Sequence, residues 1–425
     1  MRVAVVGAGF SGLRTAMLLE KRGFSVQVFE ARNRVGGRAH TIDLGEGYYE
    51  AGGEWLDSDH QRVLALLNEL GFRAEPSDQW PGRVRYGVDE CREDQLWPDL
   101  AEAEESLESE AAVVSKSFDD PLWVAEGLSF ADTHTTLDKA LDTFGKTDRA
   151  KWGLEARLRS DEGEDLSEVG LYGWIYGFRN YLEREGGEMS SARISGGAEQ
   201  VCREMAARLR NPVHFNAELR SVDQRASDLE LRFADGNAAH ADRCILTLPP
   251  KPLNLVQFLP VLSIHKSLCI EKMGSARAIK VVLVFNREWW LDEGWKGRLL
   301  ADQPFQQCWS GGQDGLAALG FYICGKQALD VLNQPDPVSF VLESFSKVEP
   351  IAKDHFVEGR VHDWINDPFS QGAFASLAPG AATMSVPYAA EPWGKVYFAG
   401  EWTSPWIGFY EGALESAERV AAQIG

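Results

Sequence analysis

Residues 1–38 read MRVAVVGAGFSGLRTAMLLEKRGFSVQVFEARNRVGGR, and their punctuation decides the fold. Val3 to Val6 is the short apolar run of a strand buried on both faces. Gly7, Gly9 and Gly12 follow in G-x-G-x-x-G spacing. Leu13, Ala16 and Met17 then recur at helical spacing, and Gly23 stops that helix. A second strand, SVQVFE, ends on the acid Glu30. Strand, glycine turn, helix and terminal acid in this order form the fingerprint of a dinucleotide site. Gly7 allows the tight turn, Gly9 lets backbone approach a pyrophosphate, and Gly12 lets helix and strand pack closely. The helix N-terminus offers N–H groups and a positive dipole end to the phosphates. Glu30 is placed to accept hydrogen bonds from an adenosine ribose.

The rest of the chain narrows the class. Its 425 residues are long for one core, so two domains are expected. A hydrophobic content of 44% with 25% charged residues describes an ordinary soluble protein. The formal net charge of −21 argues against nucleic acid, whose phosphates need clustered Lys and Arg. Six scattered cysteines without a CxxC pair predict reduced thiols and no zinc site. No apolar run of membrane-spanning length is present, and the chain opens directly on a strand, so a cytoplasmic location without membrane contact is expected. Another stretch poses a sharper question. In AIKVVLVF (278–285) Lys280 interrupts a run that reads as a strand buried on both faces. An ammonium there needs a partner.

Past the second strand, EARNRVGGRAHT carries Glu30, Arg32, Gly36, Gly37 and Arg38 in the order E-A-R-x-R-x-G-G-R. Here the chain resembles the flavin-dependent amine oxidase family, which spans monoamine, polyamine and L-amino-acid oxidases. The resemblance implies FAD rather than NAD, with Arg32 and Arg38 available to neutralise its diphosphate. YYEAGGEWLDSDHQRV resembles the family segment whose backbone runs beside the flavin ring, implying that Gly53, Glu54 and Trp55 are flavin-proximal. ISGGAEQVCREMAARL resembles the Gly-Gly helix start that returns the chain to the flavin domain. A meander of three strands is expected next: one opening at Leu219, which is counted among the cofactor contacts, then DLELRF, an Asp235-Gly236 turn, and DRCILTL. KVYFAGEW resembles the family's F-A-G-E motif, implying that Gly400 and Glu401 meet the ribityl or diphosphate part of FAD.

The resemblance also implies the chemical centre. WINDPFSQGAF and PWIGFYEGA match two family segments, so Phe374 and Phe409 would face each other above the flavin, with Gly408 and Tyr410 beside the cofactor. The closing helix would aim its N-terminus at the flavin edge where negative charge collects on reduction. Ala373 stands where some members carry a cysteine bonded to flavin, so FAD is expected to be non-covalent. In the family a lysine on the Lys280 strand reaches flavin N5 through one water, and Trp364 would pack beneath it. That water and the flavin edge would then satisfy its charge.

The expected architecture is α/β: a Rossmann-like FAD-binding domain from discontinuous segments (1–75, 191–252 and 386–425) and an α+β substrate domain (76–190 and 253–385) with a mixed sheet flanked by helices. The acidic helix AEAEESLESE reads as a solvated face, and the aromatic stretch GLYGWIYGFRNYLEREGG (170–187) as either core or cavity lining. The expected activity is oxidation of a small-molecule amine, with molecular oxygen as acceptor and hydrogen peroxide as product. An L-amino-acid oxidase is the nearest alternative. It would bind its substrate carboxylate with an arginine in the segment that reads GGEWL here, unless one such as Arg179 or Arg277 arrives from elsewhere. A flavin desaturase or isomerase is the second alternative. Nothing in the chain indicates which amine is taken or whether it oligomerises.

Overall fold

The computed structural model describes residues 1–117, 128–182, 188–225 and 227–424. Residues 183–187, the end of the aromatic stretch, lie outside them. Arg2–Val6 and Ser25–Phe29 pair in parallel across the helix Phe10–Lys21, as the glycine fingerprint requires. Two distant strands complete the sheet, Arg243–Leu246 beside Arg2–Val6 and Val396–Phe398 beyond it, all parallel. Helices pack one face, where Leu13, Ala16, Leu19, Val201 and Leu414 share a core with Val3 and Val5. The other face buries Ala4, Val6, Cys244 and Leu246.

Those pairings correct one expectation. DRCILTL is not the third strand of the meander; Ala238–Ala241 is, antiparallel to Leu229–Phe233 across the Asp235-Gly236 turn. Leu219–Asp223 and Gln257–Leu259 complete that sheet. The chain switches sheets at Asp242, whose carboxylate accepts from the Arg2 backbone N–H at 2.7 Å. Cys244, Ile245 and Leu246 are fully buried, which a parallel sheet covered on both faces demands and a half-exposed hairpin does not. Ala238–Ala241 is too short and alanine-rich to announce itself.

Among the described residues the largest sheet has seven strands, in the order Phe356–Asp363, Ala278–Phe285, Ala318–Cys324, Gln307–Ser310, Leu299–Ala301, Arg83–Tyr86 and Asp89–Arg92. It is mixed, because Leu299–Ala301 runs parallel to Arg83–Tyr86 while every other neighbouring pair in the sheet is antiparallel. All eight residues of the Lys280 strand are buried. A helical layer (Pro98–Ser117, Leu128–His134, Lys139–Phe144, Asp148–Glu162 and Leu171–Leu182) encloses a separate core. The acidic helix contributes Leu100, Ala103, Leu107 and Ala111 to it, while Glu102, Glu105 and Glu110 face outward. Trp174 and Ile175 of the aromatic helix are buried in the same core.

Candidate active site

One cavity of about 520 Å³ runs from the glycine turn to the seven-stranded sheet. Of the expected catalytic and cofactor-binding positions, Gly12 alone stands off its wall. A Cβ on Gly12 would collide with the Gly7 carbonyl, so its role is close helix–strand contact, as expected. Gly7 has a φ of +106°, and a side chain there would strike Thr247 Oγ1. Gly9 and Gly37 approach closely, leaving a stretch of wall made of backbone. Glu30 is fixed beside the turn: Ala8 N–H donates to Oε2 and Arg32 N–H to Oε1, each at 2.8 Å. Leu219 and Gly400 line the same trough. A floor without side chains, bounded by a fixed acid and a helix N-terminus, fits the diphosphate and ribose of a dinucleotide.

The arginines there are less available than expected. Arg32 forks onto Asp367 at 2.8 and 2.6 Å and also donates to Ser370. Arg38 pairs with Glu401 at 2.7 Å. Each guanidinium enters the trough with a carboxylate attached, so the two do not bring two uncompensated charges to a diphosphate. Glu401 also accepts from the backbone N–H groups of Ala375 and Gly408 (3.2 and 3.1 Å), tying the F-A-G-E turn to both aromatic segments.

Lys280 is 5% exposed, and its partner is a protein acid. Its Nζ donates to Glu54 Oε2 at 2.9 Å and to the carbonyls of Glu50 and Gly52 at 3.0 Å each. An ammonium has three N–H donors, and these contacts engage all three. An ion pair and two backbone carbonyls thus meet the charge that the strand buries. Glu54 is also held by Arg193 Nε (2.7 Å) and Trp309 Nε1 (2.9 Å). The Arg193 guanidinium lies over the Trp55 ring at 4.1 Å. Burial alone would raise the Glu54 carboxyl, but the charges of Lys280 and Arg193 hold it below the usual carboxylate range. Glu50, equally buried with weaker compensation, is pushed up to about 7. His362, opposite Lys280 on the next strand, is pushed down to about 4 by burial and then by the lysine's charge.

Trp364 Nε1 donates to the Ala51 carbonyl at 2.9 Å, and Tyr410 Oη to that of Gly53 at 2.7 Å. Lys280, Trp364 and Tyr410 thus hold the Glu50–Gly53 backbone from three sides. Phe374 and Phe409 line the cavity next to this segment. Gly408, with φ +85°, brings its backbone against the Phe374 ring. His60 meets Phe409 edge-on at 5.1 Å, and Tyr181 of the aromatic helix lies 6.3 Å from the same ring. Arg277, considered as a carboxylate anchor, is paired with Glu164 and Asp165 and stands off the cavity wall, as does Arg179. Arg157 and Arg298 do line the cavity; Arg157 pairs with Glu104, and Arg298 with Glu93 at 2.8 Å.

Sequence reasoning missed Arg193, Trp309, Tyr322 and Asp161. The demand of Lys280 for an acid was a usable signal for Glu54, but nothing local marks Arg193 or Trp309 as its further partners.

A parallel-sheet dinucleotide trough that opens into an aromatic-walled chamber on a second sheet defines an FAD-dependent oxidoreductase. The family model for flavin containing amine oxidoreductases matches residues 10–425, and the chain belongs to that family. A flavin-containing amine oxidase of Oncorhynchus mykiss is 25% identical over 99% of this chain and 85% of its own length. Cyclohexylamine oxidase from Brevibacterium oxydans superposes with a TM-score of 0.90 at 24% identity, covering 100% of this chain and 98% of that one. Putrescine oxidase bound to putrescine gives 0.88 at 22%, covering 100% and 99%. The protein is thus an FAD-dependent amine oxidoreductase. Among the described residues, no helix is long and apolar enough to cross a membrane.

Proposed function

We propose that the protein oxidises a small-molecule amine at the carbon bearing nitrogen, using non-covalently held FAD and passing the electrons to oxygen. The observation that carries this reading is the continuity of one cavity from the glycine turn to Lys280, Phe374 and Phe409. When bound, FAD supplies acceptance of a hydride from the C–H beside a neutral amine, leaving an imine that water hydrolyses to aldehyde and ammonia while oxygen carries the two electrons off as hydrogen peroxide.

The chain's own residues bind, orient and exclude water. Gly7, Gly9, Gly37 and Glu30 would hold the dinucleotide end; Gly53, Trp55, Gly408 and Tyr410 would border the flavin. Phe374 and Phe409 would confine the amine so that its reacting carbon points at the cofactor, an orientation worth several kcal/mol of barrier. Lys280 and Trp364 would fix the Glu50–Gly53 backbone beside the ring. Ala373 offers no nucleophile for a covalent flavin link. Solved neighbours acting on cyclohexylamine and putrescine support an amine over a carbon-skeleton substrate. The ion pairs that occupy Arg157 and Arg298 favour an amine over an amino acid.

The test is anaerobic mixing of the purified yellow protein with matched pairs: tryptamine and tryptophan, phenethylamine and phenylalanine, cadaverine and lysine. Loss of absorbance near about 450 nm, where oxidised flavin absorbs, with the amines only is the expected result. Bleaching by the amino acids alone would transfer the reading to an L-amino-acid oxidase.

A further inference from the structure

The far end of the cavity holds a carboxylate whose charge the protein does not balance. Asp161 sits at the C-terminal end of the helix Asp148–Glu162 and lines the cavity with its side chain accessible, although protein surrounds it. Arg157 and Arg298 are the cations nearest in effect, and each is paired elsewhere, with Glu104 and Glu93. No described residue donates a hydrogen bond to Asp161 or forms an ion pair with it. The other charged groups acting on it, Asp57 and Glu108, are themselves acidic. Its neighbour Glu162 stands off the cavity wall; burial raises both carboxyls, Asp161 to about 6 and Glu162 to about 8, so at pH 7 Asp161 is the member that ionises.

The position relative to the aromatic chamber is what gives this charge a use. Two residues on, Gly163 has φ +65°, and a Cβ there would come within 2.7 Å of the tip of the Phe374 ring and 2.9 Å of the Tyr322 hydroxyl. Any side chain at 163 would strike both. Asp161 is therefore on the order of one helical turn from the aromatic wall, the separation of residues two apart in a helix plus a side chain. A short aliphatic chain whose amine lies between Phe374 and Phe409 can place its other end there. Trp309, Tyr322 and Leu300 line the same cavity, and Ser160, next to the acid in sequence, accepts from Gln307 at 2.6 Å.

We propose that Asp161 is a cation subsite that selects amines carrying a second positive centre, an ammonium or guanidinium, at the far end of a short aliphatic chain. This rests on the amine-oxidase reading of the same cavity and names its substrate class. The reacting amine must be neutral to lose a hydride, whereas the distal group binds charged. A carboxylate kept away from the flavin serves the second need without disturbing the first.

Equilibrium binding tests the subsite independently of turnover. Pentane-1,5-diguanidine and pentylguanidine, neither a substrate, would be titrated into the FAD-loaded protein by calorimetry and by perturbation of the flavin spectrum. The diguanidine is expected to bind more tightly, by roughly 10- to 100-fold, the range for a hydrogen bond between charged groups. Asp161→Asn should abolish that preference, and Asp161→Glu should retain part of it. In turnover, the kcat/KM ratio of cadaverine to pentylamine should fall by a similar factor in Asp161→Asn. Equal affinity of the two guanidines in the wild type, or a preference that survives in Asp161→Asn, would overturn the subsite. Failure of every amine to bleach the flavin would instead sink the amine reading, with the guanidine comparison still deciding whether Asp161 binds a cation.

Discussion

The two ends of the cavity handle charge in opposite ways. Beside the flavin position, Lys280, Arg193 and Glu54 close on one another with indole and backbone partners filling the remaining directions. At the other end, Asp161 faces the cavity while the nearby arginines answer to other acids. A desolvated ion cluster with its partners in place fixes geometry, because any displacement exposes a charge to an apolar interior. A carboxylate that faces the cavity without a protein partner is left free to meet something that arrives. The comparison teaches where this protein is rigid and where it is selective.

The most severe way to break the comparison is to empty the paired end. Glu54→Leu leaves Lys280 and Arg193 facing each other without their shared acid. It should cost about 3–5 kcal/mol of unfolding free energy, the range for breaking a buried pair. Lys280→Met should cost less, about 1–3 kcal/mol, the range for leaving buried acceptors unpaired, since Glu54 keeps Arg193. Urea denaturation of both variants measures the asymmetry. If Lys280→Met proved the costlier, the cluster would not be organised around Glu54.

A pH experiment sharpens the same end. Glu50 has its carboxyl raised from 4.5 to about 7. A raised carboxylate binds more protons folded than unfolded between those values, so its contribution is full below pH 4.5 and is lost as pH rises through 7. Glu50→Gln should remove that decline, gaining on the order of 3 kcal/mol on the wild type at pH 8 and little at pH 4.5. Unfolding curves at the two pH values decide it, and parallel behaviour of wild type and variant would remove Glu50 from the account. The smallest effect belongs outside the cavity. Arg92 and Asp94 pair at 2.7 Å in full view of solvent, and Arg92→Ala should leave the melting temperature and FAD content unchanged.

Much of the flavin half was legible because its constraints are local. A turn that admits no side chain, a helix start and a strand-end acid fall within Gly7–Glu30, so spacing carries them. The aromatic walls were legible only through resemblance, since Phe374 and Phe409 lie in loops without periodicity. The sheet switch after Asp242 escaped because Ala238–Ala241 has no strand-like pattern and the choice between sheets depends on what lies on both faces of Cys244–Leu246. Asp161 escaped because RSDEGED reads like any solvated helix end.

The sequence by itself determined the dinucleotide turn, the parallel strand pair that follows from it, and the demand that Lys280 be paired. It could not say with what. Glu54 stands 226 positions away, and Arg193 and Trp309 reach it from two further segments. Whether a charge is balanced depends on the distance and burial of groups remote along the chain, quantities that exist only once the sheets have closed around them. That is why tertiary structure alone decided that Lys280 is held by the protein and that Asp161 is left open to the cavity.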